Sequence, residues 1–135
     1  MCRINNEYLE KCIATLEKSY DFLKLSEEGS VEYEIYRNSL VKSFEITLEQ
    51  SGKFLKKKLE PFFCTKKELD KLTFKDIFRY ANKHDFLTSE EVERWFLYRD
   101  NRNDTAHDYG ENLAEETVAL CENLIKDAKN LLEIL

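Results

Sequence analysis

Asn112-Leu113-Ala114-Glu115-Glu116-Thr117-Val118-Ala119-Leu120-Cys121-Glu122-Asn123-Leu124-Ile125-Lys126-Asp127-Ala128-Lys129-Asn130-Leu131-Leu132-Glu133-Ile134-Leu135 is the most regular stretch of the chain. Within it Ala114, Val118, Cys121, Ile125, Ala128, Leu132 and Leu135 are spaced 4, 3, 4, 3, 4 and 3 apart, the period of one face of an α-helix. Leu113, Leu120, Leu124 and Leu131 broaden that face beyond a coiled-coil seam, which predicts packing against more than one neighbour. Asn112 with Glu115 reads as a capping pair that opens the helix.

The same period runs back through the rest of the chain. Leu9, Ile13, Leu16, Tyr20 and Leu23 predict a helix over about 5–27, closed by Glu28-Gly29-Ser30. Tyr33, Tyr36, Leu40, Phe44, Leu48, Leu55 and Leu59 predict a second, long helix over about 31–59. Gly52 lies inside it at a cost of about 1 kcal/mol relative to Ala, and Pro61 ends it. Residues 62–72 are irregular and read as a loop or short turns. Two capping boxes follow, Thr73 with Asp76 and Thr88 with Glu91. The second opens a helix carrying Val92, Trp95, Phe96 and Arg99, with Gly110 as its stop. Trp95 and Phe96 suit a core position better than a pocket wall. No strand-like alternation or internal repeat is present. The expected fold is all-α: an antiparallel up-and-down four-helix bundle with an extra short helix or irregular segment, formed by a single domain over residues 1–135.

Composition excludes several classes. The chain has 135 residues, 42% apolar and 36% charged, with three glycines and one proline. This is neither a disordered chain nor a turn-rich sandwich. No apolar run reaches the roughly 18–20 residues of a membrane helix. Residues 1–6 lack a signal-peptide core, so the expected location is cytoplasmic. A net charge of −6 argues against broad nucleic-acid binding and confines any such site to a local patch. Cys2, Cys12, Cys64 and Cys121 form no C-x-x-C pair, and only two histidines are present. That is no zinc-site pattern, and Cys12 and Cys121 read as small core residues. Lys53, Lys56, Lys57 and Lys58 point several ways around a helix and read as a solvated face, with phosphate steering as the alternative.

Chemistry concentrates in Arg99-Asp100-Asn101-Arg102-Asn103-Asp104-Thr105-Ala106-His107-Asp108-Tyr109-Gly110, a polar segment between two apolar helices. Arg102 offers a forked donor suited to phosphate, and His107 exchanges protons near neutral pH. On a straight helix these two lie about 140° apart, so only fraying near Ala106 would join them within one chain. The structural alternative pairs Arg102 with an aspartate and leaves His107 capping carbonyls at the helix end. Asp100, Asp104, Asp108 and Glu111 outnumber Arg99 and Arg102, so an RNA site requires those carboxylates to be paired or turned away.

Arg102-Asn103-Asp104-Thr105-Ala106-His107-Asp108-Tyr109 resembles the R-x4-H-x-Y motif of the HEPN superfamily. Its nearest likeness is to the small HepT-like branch, also called nucleotidyltransferase substrate-binding proteins. Residues 37–59 around Phe44-Glu45, then 73–85, 95–109 and the last helix, fit that branch. Ala106 departs from it, standing where a small hydroxyl residue is common. The resemblance implies a helical bundle that homodimerises, bringing two R-x4-H segments together. It also implies a metal-independent ribonuclease toxin paired with a cognate minimal nucleotidyltransferase as antitoxin. Arg102 and His107 would then be catalytic, Asn103 supporting, and Tyr109 the acceptor of AMP units that silence the toxin. RNA would be the substrate, and no metal or other cofactor is called for. The alternative implied role is a non-catalytic subunit that binds the nucleotidyltransferase and presents its substrate or its own Tyr109.

Overall fold

The computed structural model describes residues 5–107 and 110–135. Their regular structure is α1 (Glu7–Leu25), α2 (Val31–Leu59), a 3-10 turn (Glu60–Phe62), α3 (Lys66–Asp70), α4 (Phe74–Lys83), α5 (Ser89–His107) and α6 (Glu111–Ile134). Among the described residues the fold is all-α. The four long helices run up and down. Phe22 stacks on Tyr36 at one end of the α1–α2 pair, and Thr47 donates to the Cys12 carbonyl toward the other. In α5–α6, Arg94 meets Asp127 and Asn101 meets Thr117, again in opposite order. Short α3 and α4 fill the stretch between α2 and α5.

The elements start where local chemistry allows. Both expected capping boxes form: Thr73 and Asp76 exchange hydrogen bonds at 3.1 and 3.2 Å, and Thr88 and Glu91 at 3.0 and 3.1 Å. The stop expected at residues 28–30 does double duty. Gly29 takes φ +84°, which suits glycine, and Ser30 caps the next helix by accepting from the Tyr33 N–H at 3.1 Å. Asn112–Glu115 is not the opening pair of α6. That helix begins at Glu111 with Gly110 as its N-cap, and Glu115 turns instead to α2. Residues 62–72, expected as a loop or short turns, hold the end of the 3-10 turn and the short α3, because Pro61 suits a first helical turn and Thr65 caps α3 by accepting from the Glu68 N–H.

The wide face of α6 serves α1, α2 and α5. Cys121, Leu124, Ala128 and Leu131 are fully buried there. The aromatic centre comes from α2, α4 and α5: Phe78 stacks on Trp95 at 4.9 Å, and Tyr98 meets Trp95 and Phe44 edge-on. Trp95 is therefore core, as expected, whereas Phe96 is half-buried beneath the cations of Lys75 and Arg79. Cys12 and Cys121 are buried, and burial pushes the Cys121 thiol up to about 12. One buried charge ties α5 to α6. Asp127, 3% exposed, accepts from Arg94 Nε and Nη2 at 2.9 and 2.8 Å and from the Tyr98 hydroxyl. Gly52 has a packing reason. A Cβ there would stand 2.9 Å from two ring carbons of Phe74, so only glycine lets α4 approach α2 this closely.

Candidate functional site

Helix α5 (Ser89–His107) carries residues 99–107 of the polar segment and is unbroken at Ala106. Its half-buried Arg102 turns inward to α2, where Nη2 donates to Glu45 at 3.3 Å and to Glu49 at 3.1 Å. These two glutamates are four residues apart and so share one face of α2. The aspartate pairing considered from sequence is not what forms. His107 and Asn103 are exposed. The structure thus separates Arg102 from His107 within one chain, with the guanidinium on the bundle side and the imidazole on the solvent side. Tyr109 and Asp108 lie outside the described residues.

Neighbouring contacts remove part of the acidic excess. Asp100 receives Lys75 at 2.7 Å, and Glu111 receives Arg37 at 3.5 Å. Arg37 also donates to Glu115 at 3.0 Å, and the Tyr33 hydroxyl donates to the same carboxylate at 2.9 Å. Burial works against the Arg37 charge, but its hydrogen bonds to Glu115 and Glu111 outweigh that and hold it above its usual value. This network fixes the first turn of α6 to α2, directly after the motif. A cleft of about 530 Å³ opens beside it, lined by Asn38, Lys42 and Glu45 of α2, Thr105 of α5, and Gly110 and Ala114 beyond the motif.

One turn before Arg102, the half-buried Arg99 guanidinium lies 4.8 Å from the Phe74 ring centre. Burial, then the neighbouring charge of Arg102, lowers its affinity for its proton, and Glu49 offsets this in part. The lysine run, by contrast, is a solvated face. Lys56 pairs with Asp70 at 2.8 Å, while Lys57 and Lys58 lie over Phe54 and Phe86.

Sequence reading located Arg102, Asn103 and His107 but not Glu45, Glu49 or Phe74 as their surroundings. The only local sign of the acidic pair was its i, i+4 spacing.

The comparisons with known proteins agree with this architecture. A Haemophilus influenzae protein named "Probable ribonuclease HepT" is 29% identical over 93 residues, covering 69% of this chain. The chain spans 62% of that relative's length. A solved Haemophilus influenzae structure, reported as the fold of a substrate binding domain of a nucleotidyltransferase, matches with a TM-score of 0.79 at 24% identity, over 96% of this chain and 97% of that one. A crystal structure from Thermus thermophilus matches with a TM-score of 0.74 at 26% identity, over 93% and 96% of the two chains. A family model spans residues 4–135. The chain belongs to the family described as nucleotidyltransferase substrate binding protein like.

Proposed function

We propose that this chain is a HepT-like ribonuclease toxin, acting through a composite site between two copies, in a pair with a minimal nucleotidyltransferase. The observation that carries the reading is the division of labour on α5: an inward arginine held by two glutamates and an exposed histidine at the helix end. Similarity to the Haemophilus influenzae relative named as a ribonuclease supports it.

Cleavage of RNA by its own 2′-hydroxyl needs a base for that proton, an acid for the departing 5′-oxygen and positive charge on the phosphorane. His107 of one copy accepts the 2′-hydroxyl proton, and the 2′-oxygen attacks phosphorus. The 5′-oxygen leaves with a proton from His107 of the second copy. The products are a 2′,3′-cyclic phosphate and a 5′-hydroxyl. Arg102 stabilises the phosphorane charge, and Asn103 supports from the exposed side of the helix. A symmetric dimer supplies both histidines, which one chain lacks at this place. The wide face of α6 is used inside one chain, so the dimer rests on this catalytic requirement.

Tyr109 is the proposed acceptor of AMP. Its phenolic oxygen attacks the α-phosphate of ATP on the cognate nucleotidyltransferase, pyrophosphate departs, and the adduct places negative charge and bulk at the RNA site. In the second reading the chain is a non-catalytic subunit that presents a substrate to the nucleotidyltransferase. The family description favours it.

Expressing the chain alone separates the two. The toxin reading expects growth arrest and RNA cleavage that survives EDTA and falls about 10²–10⁴-fold in His107→Ala. Wild-type cleavage in His107→Ala, or its loss on chelation, refutes the mechanism. An intact mass that the cognate enzyme and ATP leave unchanged, or adducts that persist in Tyr109→Phe, refutes the role of Tyr109.

A further inference from the structure

Arg99 is a half-buried cation beside a second one, Arg102. Among the described residues no carboxylate lies within ion-pair distance of Arg99, as is also true of half-buried Lys58, whereas Lys75, Lys56, Arg37, Arg94 and Arg102 all have one. It rests instead on an aromatic face, 4.8 Å from the Phe74 ring centre. That ring is held close to α2 because Gly52 has no Cβ, which would stand 2.9 Å from it. Residues three apart on a helix are surface neighbours, so Arg99 and Arg102 point to the same side of α5. The two cations face Glu49 together, and Arg102 already shares Glu45 and Glu49. Glu49 offsets the burial of Arg99 and the repulsion from Arg102 only in part, so a further anion here is favoured. A guanidinium stacked on a ring still offers its edge N–H donors in the ring plane. Phosphate suits that edge.

We propose that Arg99 is a second phosphate-binding residue of the Arg102–His107 site, seated on the Phe74 ring in the space that Gly52 leaves, and that it grips an RNA backbone phosphate adjoining the one at Arg102. Phe74 and Gly52 act through Arg99 and are positioning residues. Arg99 adds a charge on the bundle side, whereas Asp100 is paired with Lys75 and Asp104 is exposed. This assignment rests on the ribonuclease reading.

The test is binding of the intact protein to a fluorescent 2′-O-methyl RNA 20-mer of randomised sequence, which lacks the attacking hydroxyl and cannot be cleaved. The dissociation constant is followed over a series of salt concentrations. Each phosphate neutralised in a single strand contributes about 0.7 to the slope of log affinity against log salt. Arg99→Gln is expected to weaken binding about tenfold at low salt and flatten the slope by about 0.7. Arg99→Lys, which keeps the charge, is expected to keep the slope. Thermal melting confirms that each variant is folded, and Arg99→Met, which keeps an apolar stem on the Phe74 ring but loses the charge, carries the decision if Arg99→Gln is not. Full binding with an unchanged slope in Arg99→Gln overturns the role of Arg99 while leaving the ribonuclease reading intact. Absence of RNA binding by the unmodified protein overturns both.

Discussion

Gly52→Ala reverses the usual sign of a helical substitution. In an unhindered helix interior, replacing Gly by Ala stabilises by about 1 kcal/mol. Here the added methyl would stand 2.9 Å from Cδ2 and Cε2 of Phe74. Carbon atoms at rest keep about 3.5–4.0 Å, so α4 or the ring must shift by more than half an ångström. Overpacking of this kind costs about 1–3 kcal/mol. Subtracting the propensity gain leaves a net loss of about 0–2 kcal/mol, centred on 1. Urea unfolding followed by circular dichroism should show a lower midpoint with an unchanged m-value. The decisive comparison is the double-mutant cycle with Phe74→Leu. In that background the obstacle is smaller, and Gly52→Ala should turn neutral or stabilising by up to about 1 kcal/mol. A gain of about 1 kcal/mol in the otherwise native protein, or equal effects in both backgrounds, would refute the packing account of Gly52.

Three further outcomes follow from the same geometry. Asp127→Ala strands the buried Tyr98 hydroxyl while the partly exposed Arg94 can turn to water. The expected loss is about 2–4 kcal/mol, and an equal cost for Tyr98→Phe with and without Asp127 would contradict it. Tyr33 is pushed up to about 12, first by burial and then by its hydrogen bond to Glu115. The neutral phenol is therefore favoured in the folded state. Its contribution to stability is complete below pH 10 and lost as pH rises toward 12, so Tyr33→Phe should blunt the alkaline fall in melting temperature over that window. Glu45→Gln leaves Arg102 with Glu49 alone. Stability should change by less than about 1 kcal/mol, as for a partly exposed pair, and RNA affinity at low salt should rise. Unchanged or weaker affinity would mean that Glu45 does not compete with phosphate.

The elements of the bundle were legible in the sequence because their causes are local. The 3–4 spacing of residues 112–135, the capping boxes at Thr73 and Thr88 and the break at Pro61 each act within a few residues, and the helices they mark formed there, α6 opening on Gly110 rather than on the Asn112–Glu115 pair. The candidate segment was legible for the same reason, as polar residues at motif spacing between apolar helices. Among the described residues, no helix is long and apolar enough to cross a membrane. What surrounds that segment could not be read this way. Arg102 meets Glu45 and Glu49 across 57 and 53 residues of chain, and any of the chain's 27 acidic residues was an eligible partner. Glu115 shows the converse. Three residues after Asn112 it fits a local capping box, yet buried Arg37 offers it a stronger, charged partner from α2. Gly52 read only as a helix weakness until α4 packed on it. Local spacing determined which helices form and where the chemistry lies. Tertiary packing alone decided which charges meet and which face Arg102 and His107 present, because those partners come from helices far apart in sequence.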